Sequence, residues 1–183
     1  MLTNLNLLRE LPLFDADGNP RVVVEVPCGS TVKLKYDATL NLFEWSRGLP
    51  AGVSFPFDFG FLPQTLGDDG DAVDAVVLGE AGAFPGIVVR SRIIGALEVT
   101  QRRDGIPPKR NDRIIAVPIN EHRMSHIGTI RDLPERVLEE IEAFFAASLA
   151  VTEKEVSFDG WASAEQAAVL IKQAHARYQS ALA

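Results

Sequence analysis

Runs of β-branched residues broken by glycine and proline fill the earlier part of the chain, and apolar positions three and four apart fill its end. Residues 1–20 are mixed and finish in the turn cluster Asp15-Ala16-Asp17-Gly18-Asn19-Pro20. Arg21 to Pro27 is dominated by valine and reads as a strand that proline closes. Val32 to Asp37 alternates, which sets Lys33 and Lys35 on one face, most simply a solvated one. Leu42 to Trp45 is a third strand and an antiparallel neighbour. Residues 46–68 are rich in Gly, Pro and Phe, too apolar for a disordered linker, and predict an ordered loop packed on a core or a pocket wall. Phe55, Phe57, Phe59 and Phe61 alternate within it.

Further strands are predicted at Val73–Leu78, at Ile87–Val99 with a bend at Gly95, and at Ile114–Pro118. The charged stretch Gln101–Arg113 between them reads as a loop. A helix is expected from Asp132-Leu133-Pro134-Glu135, with Asp132 as the capping acceptor. Its apolar stripe is Val137, Leu138, Ile141, Phe144, Phe145 and Leu149. Val156–Phe158 is a short extended piece. Ser163 and Gln166 form a capping box for a last helix that buries Ala167, Leu170, Ile171, Ala174 and Tyr178. Strands first, helices last and no regular βαβ alternation predict an α+β fold, a small barrel or strongly curved sheet with helices against it.

At 183 residues one domain, 1–183, is the expectation. The formal net charge of -7 argues against a nucleic-acid binder that relies on phosphate attraction. Cys28 is the single cysteine, so no intramolecular disulfide framework exists, and a buried small hydrophobe is the expected role. No uncharged apolar run is long enough to span a bilayer. The start, Met1 to Glu10, does not read as a signal peptide. A soluble cytoplasmic protein is expected.

Chemistry concentrates at Asp68, Asp69, Asp71 and Asp74, four carboxylates within seven positions at a turn entering a strand. Crowded like charges are costly unless a cation or fixed donors neutralise them, and oxygen-rich clusters suit Mg²⁺. A solvated acidic turn is the plain alternative. Lys33, Lys35 and Arg47 precede the cluster. Arg90, Arg92, Arg102, Arg103, Lys109, Arg110 and Arg113 follow it, so a polyanionic ligand is conceivable. Glu25 shares its alternation with Val23 and faces away from the Val24 side, with solvent one of two open readings. His122 and His126 are four apart, but no His-Glu-x-x-His surrounds them.

Asp69-Gly70-Asp71-Ala72-Val73-Asp74 resembles the Asp-Gly-Asp-Pro-x-Asp signature of the soluble family I inorganic pyrophosphatases, with Ala72 in place of the proline. Glu25-Val26-Pro27, Lys33, Arg47, Pro56, Gly60, Ala116-Val117-Pro118 and Asp132-Leu133-Pro134 fall in register, and the resemblance spans Val22 to Gln173. It implies a small five-stranded closed β-barrel, OB-like, with extra strands and C-terminal helices packed against it. It implies Mg²⁺-dependent hydrolysis of diphosphate to two phosphates. By the same resemblance Asp69, Asp74 and Asn111 surround the first metals, and Asp71 is the general base on metal-bridging water. Lys33, Arg47 and Arg113 grip phosphate, and Glu25 is an outer acidic member. A homo-oligomer, commonly a hexamer in bacteria, is implied too.

Several positions depart from that pattern. Lys35, Gln101 and Asn111 replace acids of the metal site, and Arg102 stands where an acidic partner follows. Phe55 and Phe59 replace pocket tyrosines, and Ser148-Leu149 falls where a phosphate-binding Tyr-Lys pair is expected. Asn and Gln coordinate Mg²⁺ through a carbonyl without ionic charge, and a protonated lysine repels it. The outer metals therefore look lost, with the Lys35 ammonium a candidate for the place of one. Reduced Mg²⁺-dependent diphosphate hydrolysis is the expectation. The alternatives are an inactive binding or assembly protein, or a hydrolase of another phosphorylated substrate.

Overall fold

A computed structural model describes residues 7–182; the N-terminal reading made on Met1 to Glu10 therefore lies partly outside the described residues. The strands are β1 (Arg21–Val26), β2 (Val32–Asp37), β3 (Leu42–Gly48), β4 (Asp58–Phe61), β5 (Asp74–Val77), β6 (Val88–Arg103), β7 (Ile106–Arg110), β8 (Arg113–Pro118) and β9 (Glu155–Ser163). The helices are α1 (Glu135–Leu149) and α2 (Ala164–Leu182). One seven-stranded sheet runs β1-β4-β5-β8-β6-β7, with β9 added beside β6. The β2–β3 hairpin is a separate two-stranded sheet.

The α+β class holds, but the expected five-stranded closed barrel does not. The sheet is mixed and branched around the sixteen-residue β6. Only three pairs at one end of β6, Val88 to Arg90, meet β1. The remainder runs along β8, then carries β9 and β7 on the far half. Its length is the reason, because a strand that outruns its neighbours recruits others to satisfy its free backbone groups.

Other expectations are refined by the same strand. The stretch 101–113 is not a loop: β6 continues to Arg103, turns at Asp104-Gly105 and returns as β7. Pro107 and Pro108 read as loop residues, but proline is tolerated on an edge strand such as β7, which pairs on one side only. The expected bend at Gly95 is a bulge, where the register to β8 shifts between Ile93 and Gly95. Val156–Phe158 is the middle of a nine-residue strand, β9. The phenylalanine-rich stretch is ordered as expected and holds β4, with Phe55, Phe57, Phe59 and Phe61 all buried.

Asp132 does not cap α1. Its carboxylate accepts from the backbone amides of Gly128 and Thr129 and closes a 3₁₀ turn at Ile130–Asp132, while Pro134 stands at the N-cap of α1 without a side-chain bond. The α1 stripe buries Ile141, Phe144 and Phe145 against Phe55, Phe57 and Phe59. The Ser163–Gln166 box is present, with the Ser163 amide donating to Oε1 of Gln166 at 2.8 Å. Cys28 is exposed, not buried, because it sits in the turn after β1.

Gly60 lies on β4 between β1 and β5, where a Cβ would stand 1.9 Å from the Val23 carbonyl oxygen. That neighbour is backbone and cannot swing aside. Gly60→Ala is expected to cost on the order of 3 kcal/mol. Guanidinium unfolding checks this, and an unchanged midpoint would refute the close packing of β1 on β4.

Candidate functional site

One cavity of about 340 Å³ gathers almost every residue singled out by sequence. It lies between the β2–β3 hairpin, the acidic turn ahead of β5, the start of β8 and the C-terminal end of α1. Glu25, Asp69, Asp71 and Asp74 line it, as do Lys33, Lys35, Arg47 and Arg113. So do Phe55, Phe59, Gln101, Asn111, Ser148 and Leu149. Arg102 does not. It is exposed on the β6–β7 hairpin beside Asp104, away from the cavity, because it lies one residue beyond Gln101 on an alternating strand. Asp104 lines that outer surface too, and Asp112 accepts from Arg110 and from the Val99 amide. Neither replaces a carboxylate in the cavity.

Strand pairing explains the convergence. β5 and β8 run parallel with Asp74 opposite Arg113, and Arg113 Nη1 lies 3.2 Å from Asp74 Oδ2. The Arg113 guanidinium is buried over the ring of Phe145, 5.2 Å from its centroid. In the hairpin Lys33 pairs with Arg47. Lys33 Nζ sits 5.3 Å above the Phe59 ring, so the face predicted to be solvated is turned into the cavity at Lys33. Lys35, further out, is exposed and straddles both carboxylate oxygens of Asp71 at 3.2 and 3.1 Å.

Glu25 departs from simple alternation. The register between β1 and β4 shifts between Val24 and Val26, which makes Glu25 the extra residue of a bulge. A bulge re-aims its side chain. Glu25 is consequently buried, not solvated, and its Oε1 accepts the Tyr36 amide at 2.7 Å. Burial pushes the carboxyl up to about 7, against the Tyr36 amide and Lys33, which favour its charged form. Burial also pushes the Lys33 ammonium down, opposed by Asp74. The Asp69 carboxyl is raised by burial and, more weakly, by the charges of Asp74 and Asp71, although it accepts the Asp71 amide at 3.1 Å.

Two guanidinium nitrogens, Arg47 Nη1 and Arg113 Nε, are buried with no hydrogen-bond partner among the described residues. A buried donor left unpaired is costly, and both belong to residues that line the cavity. The side-chain oxygens offer less. Ser148 Oγ donates back to the Phe145 carbonyl, and Leu149 is apolar. Among the described residues no three His, Cys, Asp or Glu side chains group in a way that holds a metal ion. Asp71 and Asp74 each carry an ion pair instead. His122 and His126 are exposed in a turn, not a helix.

Sequence reasoning passed over two cations. Arg9 and Lys154 both line the cavity. Lys154 follows α1 and reaches Gln101 at 3.5 Å, five positions beyond Leu149. No local pattern marks either residue, since Arg9 lies in the segment ahead of β1 and Lys154 in the connection from α1 to β9. Of the seven basic residues noted from Arg90 to Arg113, Arg113 alone lines the cavity. Arg92, for example, is spent on the backbone carbonyls of Met124 and Ile127.

Fold and cavity together define an α+β protein with an anion-receptive pocket in which cations and carboxylates interleave. The profile of the inorganic pyrophosphatases matches residues 22–179. The inorganic pyrophosphatase of Synechocystis sp. is 33% identical over 172 residues, covering 94% of this chain and 99% of that protein. The enzyme of Thermus thermophilus is 35% identical over 176 residues. Its crystal structure superposes with a TM-score of 0.87 at 34% identity, covering 94% of this chain and 98% of that one. The Helicobacter pylori pyrophosphatase gives 0.84 at 29% identity. The chain belongs to the inorganic pyrophosphatase family.

The raised Glu25 carboxyl carries a pH signature. A carboxyl that binds its proton more tightly folded than unfolded stabilises the fold at low pH. That contribution is lost as pH rises from its unfolded value of 4.5 to about 7. In metal-free buffer the wild type should therefore lose on the order of 3 kcal/mol across this window from Glu25. Glu25→Gln, which keeps an acceptor for the Tyr36 amide, should flatten the fall. Urea unfolding at pH 5 and pH 7.5 reads this directly; parallel losses in both proteins would dismiss it.

Proposed function

We propose that the chain hydrolyses inorganic diphosphate to two phosphates, with Mg²⁺, at this cavity. The observation that carries the reading is the gathering of Lys33, Arg47 and Arg113 with Asp69, Asp71 and Asp74 around one cavity. Arginine forks match phosphate oxygens, and Lys33 adds a compact charge between them. The family supplies the expectation of diphosphate as substrate.

The fit to Mg²⁺ is partial. Asp69 has no ion pair among the described residues, and the neighbouring Asp74 and Asp71 charges act against its ionisation. A cation beside it relieves that pressure. Mg²⁺ is satisfied by one or two carboxylates when phosphate supplies other ligands. Asp69 and Asp74, with the Asn111 amide oxygen, are the residues that would hold one such ion. A fuller set of metals does not suit this cavity, because Lys35 already sits on Asp71 and Gln101 and Asn111 bring no charge. When bound, Mg²⁺ supplies Lewis acidity toward the phosphate oxygens.

The chain's own residues account for the remaining steps. Arg47, Arg113 and Lys33 hold the two phosphoryl groups and offset the charge that develops on the leaving phosphate. Asp71 takes a proton from a water as that water's oxygen bonds to phosphorus. The bridging P–O bond breaks, and the departing phosphate keeps its electron pair. Lys35 already occupies both oxygens of Asp71, so a water must compete with an ion pair for this carboxylate, and turnover is expected to be reduced. The same ion pair favours a second reading, a binding protein without turnover.

Phosphate release across a Mg²⁺ titration decides between the two. The wild type should release phosphate from diphosphate, and Asp71→Asn should lower kcat by about 100-fold or more. No release by the wild type above the Asp71→Asn background would establish the binding-only reading, and full release by Asp71→Asn would remove Asp71 as the base. Arg47→Ala should raise KM for diphosphate by about tenfold, since it removes a charge-assisted contact made in the bound state; an unchanged KM would remove Arg47 from the site.

A further inference from the structure

We infer that this cavity binds diphosphate without any divalent cation, with the Lys35 ammonium acting as a built-in counter-charge. The inference rests on the reading of the cavity as a diphosphate site and specifies how that site is charged. Six cationic side chains line it, Arg9, Lys33, Lys35, Arg47, Arg113 and Lys154, against four carboxylates. The cavity is therefore cationic before any metal arrives. In the chain as a whole the balance is the reverse, 18 basic residues against 25 acidic ones. Cations have been concentrated here against the average.

Their arrangement matters as much as their number. Asp74 is neutralised by Arg113, and Asp71 by Lys35. These are the acids that would otherwise repel an incoming anion. Lys35 makes near-equal contacts to both Asp71 oxygens, the posture of a cation seated on a carboxylate rather than of a side chain reaching past it. Both partners are more than half exposed, so the pair adds little to folding, and its consequence is felt by whatever occupies the cavity mouth. The donors an anion needs are also ready. Arg113 is only 5% exposed, and its Nε has no partner; Arg47 Nη1 is in the same condition. Both residues line the cavity, so an anion seated there meets arginines whose donors are not all spent. Lys154 closes the side of the cavity where Leu149 brings no charge.

Magnesium commonly does two jobs for a phosphate site, neutralising charge and polarising bonds. Here side chains do the first. Binding is thereby separated from hydrolysis: the anion enters on protein charge alone.

Calorimetric titration of diphosphate into the purified chain, once in EDTA and once in Mg²⁺, tests the inference. The wild type should bind diphosphate in EDTA. Lys35→Ala should weaken that binding by about tenfold, the scale of one partly screened charge contact, and Lys35→Glu should weaken it further. Lys35 is exposed, so neither variant threatens the fold, and circular dichroism verifies that. Mn²⁺ titration followed by electron paramagnetic resonance gives a second readout, with Lys35→Glu binding one more ion than the wild type. Binding in Mg²⁺ but not in EDTA would overturn the inference and leave the proposed function standing. No binding in either buffer would defeat both. Binding in EDTA that is indifferent to Lys35→Ala, or equal Mn²⁺ counts, would overturn the role given to Lys35.

Discussion

The cavity depends on one buried ion pair, Arg113 with Asp74. Parallel pairing of β5 and β8 sets the two opposite each other, and Phe145 of α1 packs over the guanidinium. Three elements meet at that contact: the strand leaving the acidic turn, the strand that begins at Arg113, and the helix that roofs the cavity. A guanidinium buried this deeply is costly unless a carboxylate answers it, so removing either partner leaves a stranded charge. The carboxylate answers only part of the fork. Arg113 Nη1 also donates to the Asn111 carbonyl, while Nε is left over. The pair thus holds the cavity in shape while one donor of the fork stays unpaired.

Around this pair the protein has exchanged one kind of charge for another. A divalent ion brings two charges in a small radius and withdraws electrons from an oxygen it touches. A lysine brings one charge on a flexible stem and withdraws very little. Lys35 sets an ammonium against both oxygens of the Asp71 carboxylate. Gln101 and Asn111 continue the trend, keeping oxygen donors while shedding charge. The Phe55 and Phe59 rings make the inner wall apolar and offer no hydroxyl to orient a water or a phosphate.

What was legible in the sequence follows the range of the interactions involved. The acids at Asp69, Asp71 and Asp74 stand out by local density, and the capping box at Ser163 is a three-residue pattern. The helix stripe through Ile141, Phe144 and Phe145 is periodic. Each needs only neighbours in sequence. The Asp74–Arg113 pair needs a parallel register between distant strands, which spacing does not reveal, so spacing leaves Arg113 one cation among seven and the resemblance alone singles it out. Glu25 was misjudged because alternation fails where a bulge inserts a residue. The stretch 101–113 was misjudged because Pro107-Pro108 is a loop signal everywhere except on a free sheet edge. The closed barrel came from resemblance, and the length of β6 overrode it. Arg9 and Lys154 carried no signal at all.

Glu25 explains why the cations and the acids face each other. Lys33, Lys35 and Arg47 belong to the β2–β3 hairpin, a sheet with no ladder to the main one. The acids belong to the main sheet and the turn that feeds it. Tyr36 joins the two: its amide donates to the Glu25 carboxyl, and its ring stacks 6.0 Å from Phe61 of β4. A neutral side chain could accept the same hydrogen bond, but a carboxylate does so more strongly and also feels Lys33. Burial raises its proton affinity enough that the docking contact and the local charge change together near neutrality. The bulge that turns Glu25 inward therefore adds a buried hydrogen bond to the contacts, Lys35 with Asp71 and Lys33 over Phe59, that hold a hairpin carrying cations over a sheet carrying acids.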